Sequence, residues 1–337
     1  MAMSGSSTAA PLEFANVTKH YPHAETAAID NLSFTVPAGD VCVLVGPSGC
    51  GKTTAMRLVN RMIDLTSGDI LIDDATIKGR STTELRREIG YVIQHVGLSP
   101  HLNIVKNISV VPKLLGWDRK RMNDRAHELL DLIGLPQEMG TRYPSQLSGG
   151  QRQRVGVARA LAADPPLMLM DEPFGAIDPI NRDRLQNEFL RLQREIRKTV
   201  VFVTHDIDEA IKMGDRICIL REGGRLVQYD TPANILANPA DDFVAQFVGA
   251  DRGLKRLALT RLDEIDLEDV SAAPSGGQAN TVPSSATLRD ALSAIMSDSM
   301  RPLLVVDADD TPIGSVSIEL INKALRRPTT EPTASTT

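Results

Sequence analysis

What this sequence has little of narrows its function first. No uninterrupted apolar run approaches the ~20 residues needed to cross a bilayer; the longer ones, such as Val41–Val45 and Leu167–Met170, have the length of strands. The first eleven residues are small and polar with no signal-peptide core, so the chain is expected in the cytoplasm or held on the cytoplasmic face of a membrane by a partner. Cysteine is scarce. The three present, at 42, 50 and 218, are an odd number without metal-ligand spacing, which argues against a disulfide framework or a zinc site and for reduced thiols. Aromatics make up 4% and the formal net charge is −6, so a nucleic-acid partner held by bulk positive charge is not expected. The 337 residues, 42% of them hydrophobic, are ample for two domains with buried cores.

Against these absences stands one concentrated signal. Gly46-Pro47-Ser48-Gly49-Cys50-Gly51-Lys52-Thr53-Thr54 follows the apolar run Val41–Val45 and precedes a helical segment, Thr54 to Met62. The pattern G-x-x-x-x-G-K-[ST] between strand and helix is that of a phosphate cradle. Glycines let the backbone turn tightly and aim successive N–H groups at an anion, and the helix start adds its positive end. Lys52 is placed to reach phosphates as a point charge, and the Thr53 hydroxyl suits Mg²⁺, which takes hard oxygen donors.

The rest of the chain supplies further polar groups at the ends of apolar runs. Leu12–His20 and Leu32–Val36 alternate like strands of a small β layer, with Tyr21 in the turn between them. That aromatic could stack on a base or cover the layer's edge; position alone leaves both open. Gly68–Asp73 and Ile89–Gln94 read as strands, the latter ending at Gln94. From His95 to about Arg142 the β signal gives way to helices over Val105–Leu115 and Arg121–Ile133. Leu147-Ser148-Gly149-Gly150-Gln151 then opens the helix Arg152–Ala163, a second helix-start anion site. Pro166–Met170 is an apolar strand ending in Asp171-Glu172, and adjacent acids at a buried strand end suit a metal and a water. Ile180–Arg197 is an amphipathic helix with Leu185, Phe189, Leu192 and Ile196 on one side, and Thr199–Val203 is a buried strand leading to Thr204-His205-Asp206. Asp251–Pro283 turns charged and then rich in Ser, Gly and Pro, which reads as a linker. A short β and α unit closes the chain, with Leu288, Ala291, Leu292 and Ile295 on one helix face.

With Gly46–Thr53, Gln94, Leu147–Gln151, Asp171-Glu172 and His205 in this order, the chain resembles the ATP-binding subunit of an ABC transporter. Tyr91–Gln94 with Gly97-Leu98 and Pro100-His101, then Val111–Leu115, Leu161–Pro166 and Asp171–Pro179, are similar to the quaternary-amine importers for glycine betaine, proline, choline or carnitine. The resemblance runs from about Leu12 to Gly249. It implies an α/β fold: a P-loop (RecA-like) ABC ATPase core with an antiparallel β subdomain and an inserted helical subdomain, plus a C-terminal α/β unit similar to a single cystathionine-β-synthase (CBS) repeat. The expected divisions are a tail 1–11, an ATP-binding domain 12–250 with its helical subdomain at about 95–160, a linker 251–282, the CBS-like unit 283–326 and a tail 327–337.

The same resemblance implies roles for ATP and Mg²⁺. Tyr21 would stack on adenine; Gly46, Ser48, Gly49, Cys50, Gly51, Lys52, Thr53 and Thr54 would hold phosphates; Thr53, Gln94 and Asp171 would serve the metal. Glu172 would polarise the attacking water, His205 would hold the γ-phosphate, and Gln94 would relay nucleotide state to the helical subdomain. Ser148, Gly149, Gly150, Gln151 and Asp178 would complete the site of a second copy in a head-to-tail dimer, expected to be a homodimer. Transmembrane permease subunits and, through them, an extracytoplasmic substrate-binding protein are the implied partners. Two places depart from the family's usual text: Gly175-Ala176-Ile177-Asp178 where Ser-Ala-Leu-Asp is common, and Leu320 where CBS repeats carry a ribose-gripping aspartate. An importer for another small solute would read the same way. A soluble ABC ATPase of DNA repair or translation usually has two ATPase halves or a coiled-coil insertion; this chain has one half and no heptads. A regulatory module without turnover would not need Glu172 and His205.

Overall fold

A computed structural model describes residues 8–93, 97–175, 177–272, 280–297 and 300–326. They divide into two compact units, the first ending at Pro232 and the second beginning at Ala233. Gln94, Ala176 and the tail 327–337 lie outside the described residues.

The short apolar runs of the first unit form the inner strands of one six-stranded sheet, where they bury both of their faces, the habit of parallel strands covered on two sides. Its order is β10 (Arg225–Asp230), β9 (Arg216–Arg221), β3 (Val41–Val45), β8 (Thr199–Val203), β7 (Leu167–Asp171) and β6 (Ile89–Val92). All neighbours are parallel except β10 on β9. Every residue of β3 and β8 is buried. Registers align Leu44 with Val203 and Asp171 with Val203, so β3, β8 and β7 present their carboxyl ends side by side, where open α/β sheets hold ligands.

A second, antiparallel sheet orders β2 (Ile29–Val36), β1 (Leu12–Lys19), β4 (Ser67–Ile72) and β5 (Ala75–Thr76). Its buried side joins the main core: Phe14 stacks on Phe34 at 4.6 Å and Phe34 meets Tyr229 of β10 at 5.3 Å. Helix α1 (Lys52–Val59) follows β3, and α2 (Thr82–Glu88) precedes β6.

Between β6 and β7 the chain is helical, as its lost β signal implies. The segment read as one helix over Val105–Leu115 is two, α3 (Ile104–Ile108) and α4 (Val110–Leu114). Ser109 breaks it by bonding its hydroxyl back to the Val105 carbonyl at 2.7 Å, and Pro112, with no N–H to give, sits in the first turn of α4. Helices α5 (Arg119–Leu132) and α6 (Gly149–Leu161) complete this region, α7 (Pro179–Ile196) links β7 to β8, and α8 (Ile207–Met213) links β8 to β9. The helix expected from Arg152 starts earlier, at Gly149, because Ser148 and Gln151 cap it reciprocally.

Helix α9 (Pro232–Ala237) stands at the boundary, and α10 (Asp242–Val248) follows in the second unit. The stretch read as a linker contains a further helix, α11 (Arg252–Leu259). Leu257 and Leu262 enter the unit's core, with Ile265 and Leu267 packed on it. The leucine spacing, masked by the charged and Ser/Gly/Pro composition, is what folds it: a three-stranded sheet of β11 (Thr281–Pro283), β12 (Leu303–Val306) and β13 (Pro312–Val316) with α12 (Leu288–Ser297) and α13 (Ile318–Arg326) buries too little alone. Glu268 extends that sheet by pairing with Ser315. Leu320 is buried in this core. Among the described residues no helix is long and apolar enough to cross a membrane.

Candidate functional site

Two glycines set the shape of the loop after β3. Gly46 and Gly51 have φ of 153° and 104°, and a Cβ on them would stand 2.2 Å from the Leu220 carbonyl oxygen and 2.5 Å from that of Ala28. Neither position admits a side chain. Pro47, Ser48 and Gly49 are exposed at the tip, Cys50 is buried, and the Cys50 N–H closes the turn on the Pro47 carbonyl at 3.2 Å. Burial pushes the Cys50 thiol up, against the pull of Lys52, so it stays protonated. Lys52, only 7% exposed, donates from Nζ to the carbonyls of Gly46 at 2.7 Å and Pro47 at 2.9 Å. Its ammonium thus lies within the loop's concavity.

The loop and the acidic strand end meet across 118 residues: Thr53 Oγ1 donates to Asp171 Oδ1 at 3.4 Å. Burial raises the Asp171 pKa above its ordinary value, the charge of Glu172 adds to it, and the Thr53 hydrogen bond, Arg57 and Lys52 oppose it. A half-buried carboxylate beside a second acid and a hydroxyl is the donor set that a hard divalent cation would relieve. Glu172 sits at a left-handed φ of 42°, a conformation that costs such a residue about 1–3 kcal/mol. Its N–H is tied to the Val203 carbonyl at 3.0 Å, and its Oε1 lies 3.2 Å from His205 Nδ1. The histidine side chain is 62% exposed and the glutamate 25%, so the pair faces outward.

A second group assembles apart from the first in sequence. Ser148 Oγ accepts from the Gln151 N–H at 3.2 Å, and the Ser148 N–H donates to Gln151 Oε1 at 2.9 Å. Asp178 caps α7, accepting from the Asn181 N–H at 3.1 Å. Ser148–Gln151, Asp178, Asn181 and Arg184 line one cleft of about 320 Å³. Of the other expected residues, Tyr21 is half-buried with Lys19 Nζ 5.0 Å from its ring centre, Thr54 is half-buried in the first turn of α1, and Gln94 falls outside the described residues.

Comparison with known proteins decides the family. Residues 29–175 match the ABC transporter family. The osmoprotectant import ATP-binding protein OsmV of Salmonella typhimurium is 48% identical over 311 residues, spanning 90% of this chain and 78% of that protein. The chain belongs to the ABC transporter ATP-binding proteins. The choline transport ATP-binding protein OpuBA of Bacillus subtilis is 46% identical across 94% of this chain and 81% of its own length. The glycine betaine uptake ATP-binding protein YehX of Escherichia coli is 41% identical across 91% and 98%. A solved ATP-binding cassette in a dimeric post-hydrolysis state with ADP and Pi matches 66% of this chain and 98% of its own at 33% identity, TM-score 0.58. This ABC chain is accordingly a nucleotide-binding ATPase.

Two residues that hold its site in shape were not legible beforehand. Buried Glu209 on α8 accepts from Gln186 Nε2 of α7 at 2.8 Å and is hydrogen-bonded to the Thr204 side chain; Thr204 Oγ1 in turn accepts from the Asp206 N–H at 3.1 Å. That network braces the turn carrying His205. Buried Asn107 on α3 ties down the loop after Gly97, taking the Ser99 N–H at 2.8 Å and giving to the Leu102 carbonyl at 2.8 Å. An asparagine inside an apolar helical run and an acid four residues after a strand-end histidine are the signals that could have found them.

Proposed function

We propose that this chain hydrolyses ATP to power import of an osmoprotectant of the quaternary-amine class through separate membrane subunits. The observation that carries the reading is the convergence of Lys52, Thr53, Asp171, Glu172 and His205 at adjacent strand ends, Glu172 Oε1 being 3.2 Å from His205 Nδ1. The loop amides, with Lys52, bind and orient the triphosphate, and Tyr21 stacks on the base. Thr53 and Asp171 are the residues that would hold Mg²⁺, with Gln94, and the ion would neutralise charge between the phosphates. Glu172 takes a proton from the attacking water, while His205 steadies the terminal phosphate and, by its hydrogen bond, the glutamate.

The cleft of Ser148–Gln151 and Asp178 closes over the nucleotide of a second copy, so each site is completed in a head-to-tail homodimer. Membrane subunits dock on the helical region. A groove of about 770 Å³ there, lined by Leu102, Val105, Val110, Leu114 and Met122 among others, leaves Leu114 56% exposed, the kind of apolar patch a partner covers. The chain then works at the cytoplasmic face of the membrane, receiving solute by way of an extracytoplasmic substrate-binding protein, and the second unit, as a CBS-like repeat, pairs with its copy to clasp the dimer. The relatives OsmV, OpuBA and YehX, named for osmoprotectant, choline and glycine betaine, support the solute class. The test is reconstitution with the membrane subunits in liposomes and ATP-driven uptake of labelled betaine, choline, carnitine and proline. Uptake of one of these, lost with Glu172→Gln, is expected; ATP-driven uptake of none, by a complex that hydrolyses ATP, would sink the solute class.

A further inference from the structure

Helix α6 meets the loop after β6 through a side chain that lies outside the nucleotide motifs. Arg159, in the last turn of α6, donates from Nη1 to the Gly97 carbonyl at 2.7 Å. The guanidinium is half-buried, and burial lowers its pKa; a charge-assisted bond in such a setting is stronger than a neutral one in water. Gly97 sits at a left-handed φ of 55°, three residues beyond Gln94 in sequence.

The same loop is gripped a second time, from α3. Asn107, 1% exposed, takes the Ser99 N–H at 2.8 Å and gives to the carbonyls of Ser99 at 3.1 Å and Leu102 at 2.8 Å. The Leu102 N–H returns to the Ser99 carbonyl at 3.2 Å, so residues 99–102 form a closed turn fixed to α3. Leu102 and Asn103, at its end, line the groove that also holds Leu114 and Met122. At the far end of α6, Ser148 and Gln151 cap the helix, and at ~1.5 Å per residue about 15 Å of continuous helix joins Gly149 to Arg159. The route from the cleft of Ser148 to the groove is thus one rigid helix, one side-chain bond and one tied turn.

On the reading that membrane subunits dock on that groove and that Ser148 faces a second copy's nucleotide, we propose that Arg159 is a positioning residue: it couples the two by passing displacement of α6 to the turn through the Gly97 carbonyl. Arg159 lines neither the cleft nor the groove, so its loss should spare nucleotide binding and chemistry and weaken the link between them. A role in stability alone would lower hydrolysis and transport together.

The test reconstitutes the full chain with its membrane subunits in liposomes and measures solute taken up per ATP hydrolysed. Arg159→Met keeps an unbranched stem and removes the donor. Hydrolysis and ATP affinity should stay within about twofold of native while uptake per ATP falls at least about fivefold, the low end of coupling between linked sites. Arg159→Lys keeps a cationic donor on a shorter stem and should lose less; it serves where a urea midpoint shows that the methionine variant is unfolded. A second measurement needs no membrane subunits: hydrogen exchange of peptides covering 97–103 in Glu172→Gln, with and without ATP. ATP should change the exchange there, and adding Arg159→Met should abolish that change. Uptake and hydrolysis falling in equal proportion, or an ATP-dependent exchange change that survives Arg159→Met, overturns the coupling role. ATP-driven uptake of no solute, together with an exchange change that Arg159→Met abolishes, supports the link from α6 to the turn and overturns the docking reading instead.

Discussion

Replacing Glu172 by Gln isolates one proton. The amide has the size and reach of the carboxylate and keeps an oxygen that can accept from His205 Nδ1, now 3.2 Å from Oε1. The left-handed backbone at φ 42° costs glutamine about what it costs glutamate. What disappears is the ability to accept the water's proton, which is worth about 10²–10⁴-fold, or ~2.7–5.4 kcal/mol at ~1.36 kcal/mol per decade. Nucleotide affinity should hold within a few-fold or tighten, because one negative charge beside a triphosphate is gone. Phosphate release under steady state gives the rate, a fluorescent ATP analogue gives the affinity, and size-exclusion chromatography with ATP reports accumulation of the dimer. Turnover within about tenfold of the native rate would remove Glu172 as the base. A collapse of nucleotide binding would instead assign it a structural role.

The other expectations concern binding, protons and packing. Lys52→Ala should weaken ATP by about 10–100-fold, the worth of a hydrogen bond to a charged group, and unchanged affinity would remove it from the site. Tyr21→Ala should cost about 1 kcal/mol, a few-fold in affinity by the same titration; no effect would leave Tyr21 as an edge-covering residue. On the proposed role of Asp171, whose pKa is raised by burial and by Glu172, as a Mg²⁺ residue, Mg²⁺-dependent nucleotide binding should fall away on acidification at a pH above the ordinary aspartate range, with the midpoint moving down in Glu172→Gln; a midpoint unmoved by that change contradicts the coupling. Burial also raises the pKa of Glu209: the folded state holds its proton longer than the unfolded one, so its contribution to stability is present below the unfolded value and lost as pH rises through the folded one. Glu209→Gln should flatten that part of the urea-stability profile, and an unchanged slope would show that Glu209 does not carry it.

The strand, glycine turn and helix around Lys52 were legible in the sequence: they are consecutive residues, so their chemistry can be read in one line. The capping pair Ser148 and Gln151 is just as local, yet the helix it opens was expected only from Arg152 and begins at Gly149. The apolar runs announced buried strands because strands covered on both faces do not alternate; their parallel pairing came from the structure. Helix ends were less readable, since caps and prolines rather than hydrophobic period decide them, as at Ser109 and Pro112. Tertiary structure alone decided what meets across the chain: Thr53 reaches Asp171, and Glu172 reaches His205, only because the sheet places β8 between β3 and β7. The same holds for the Leu220 carbonyl that makes Gly46 obligatory, and for Glu209, whose partners Gln186 and Thr204 come from two other segments. In the second unit, composition pointed to a linker where Leu257 and Leu262 complete a core. Burial is a property of neighbours in space, and a residue's own sequence window does not contain them.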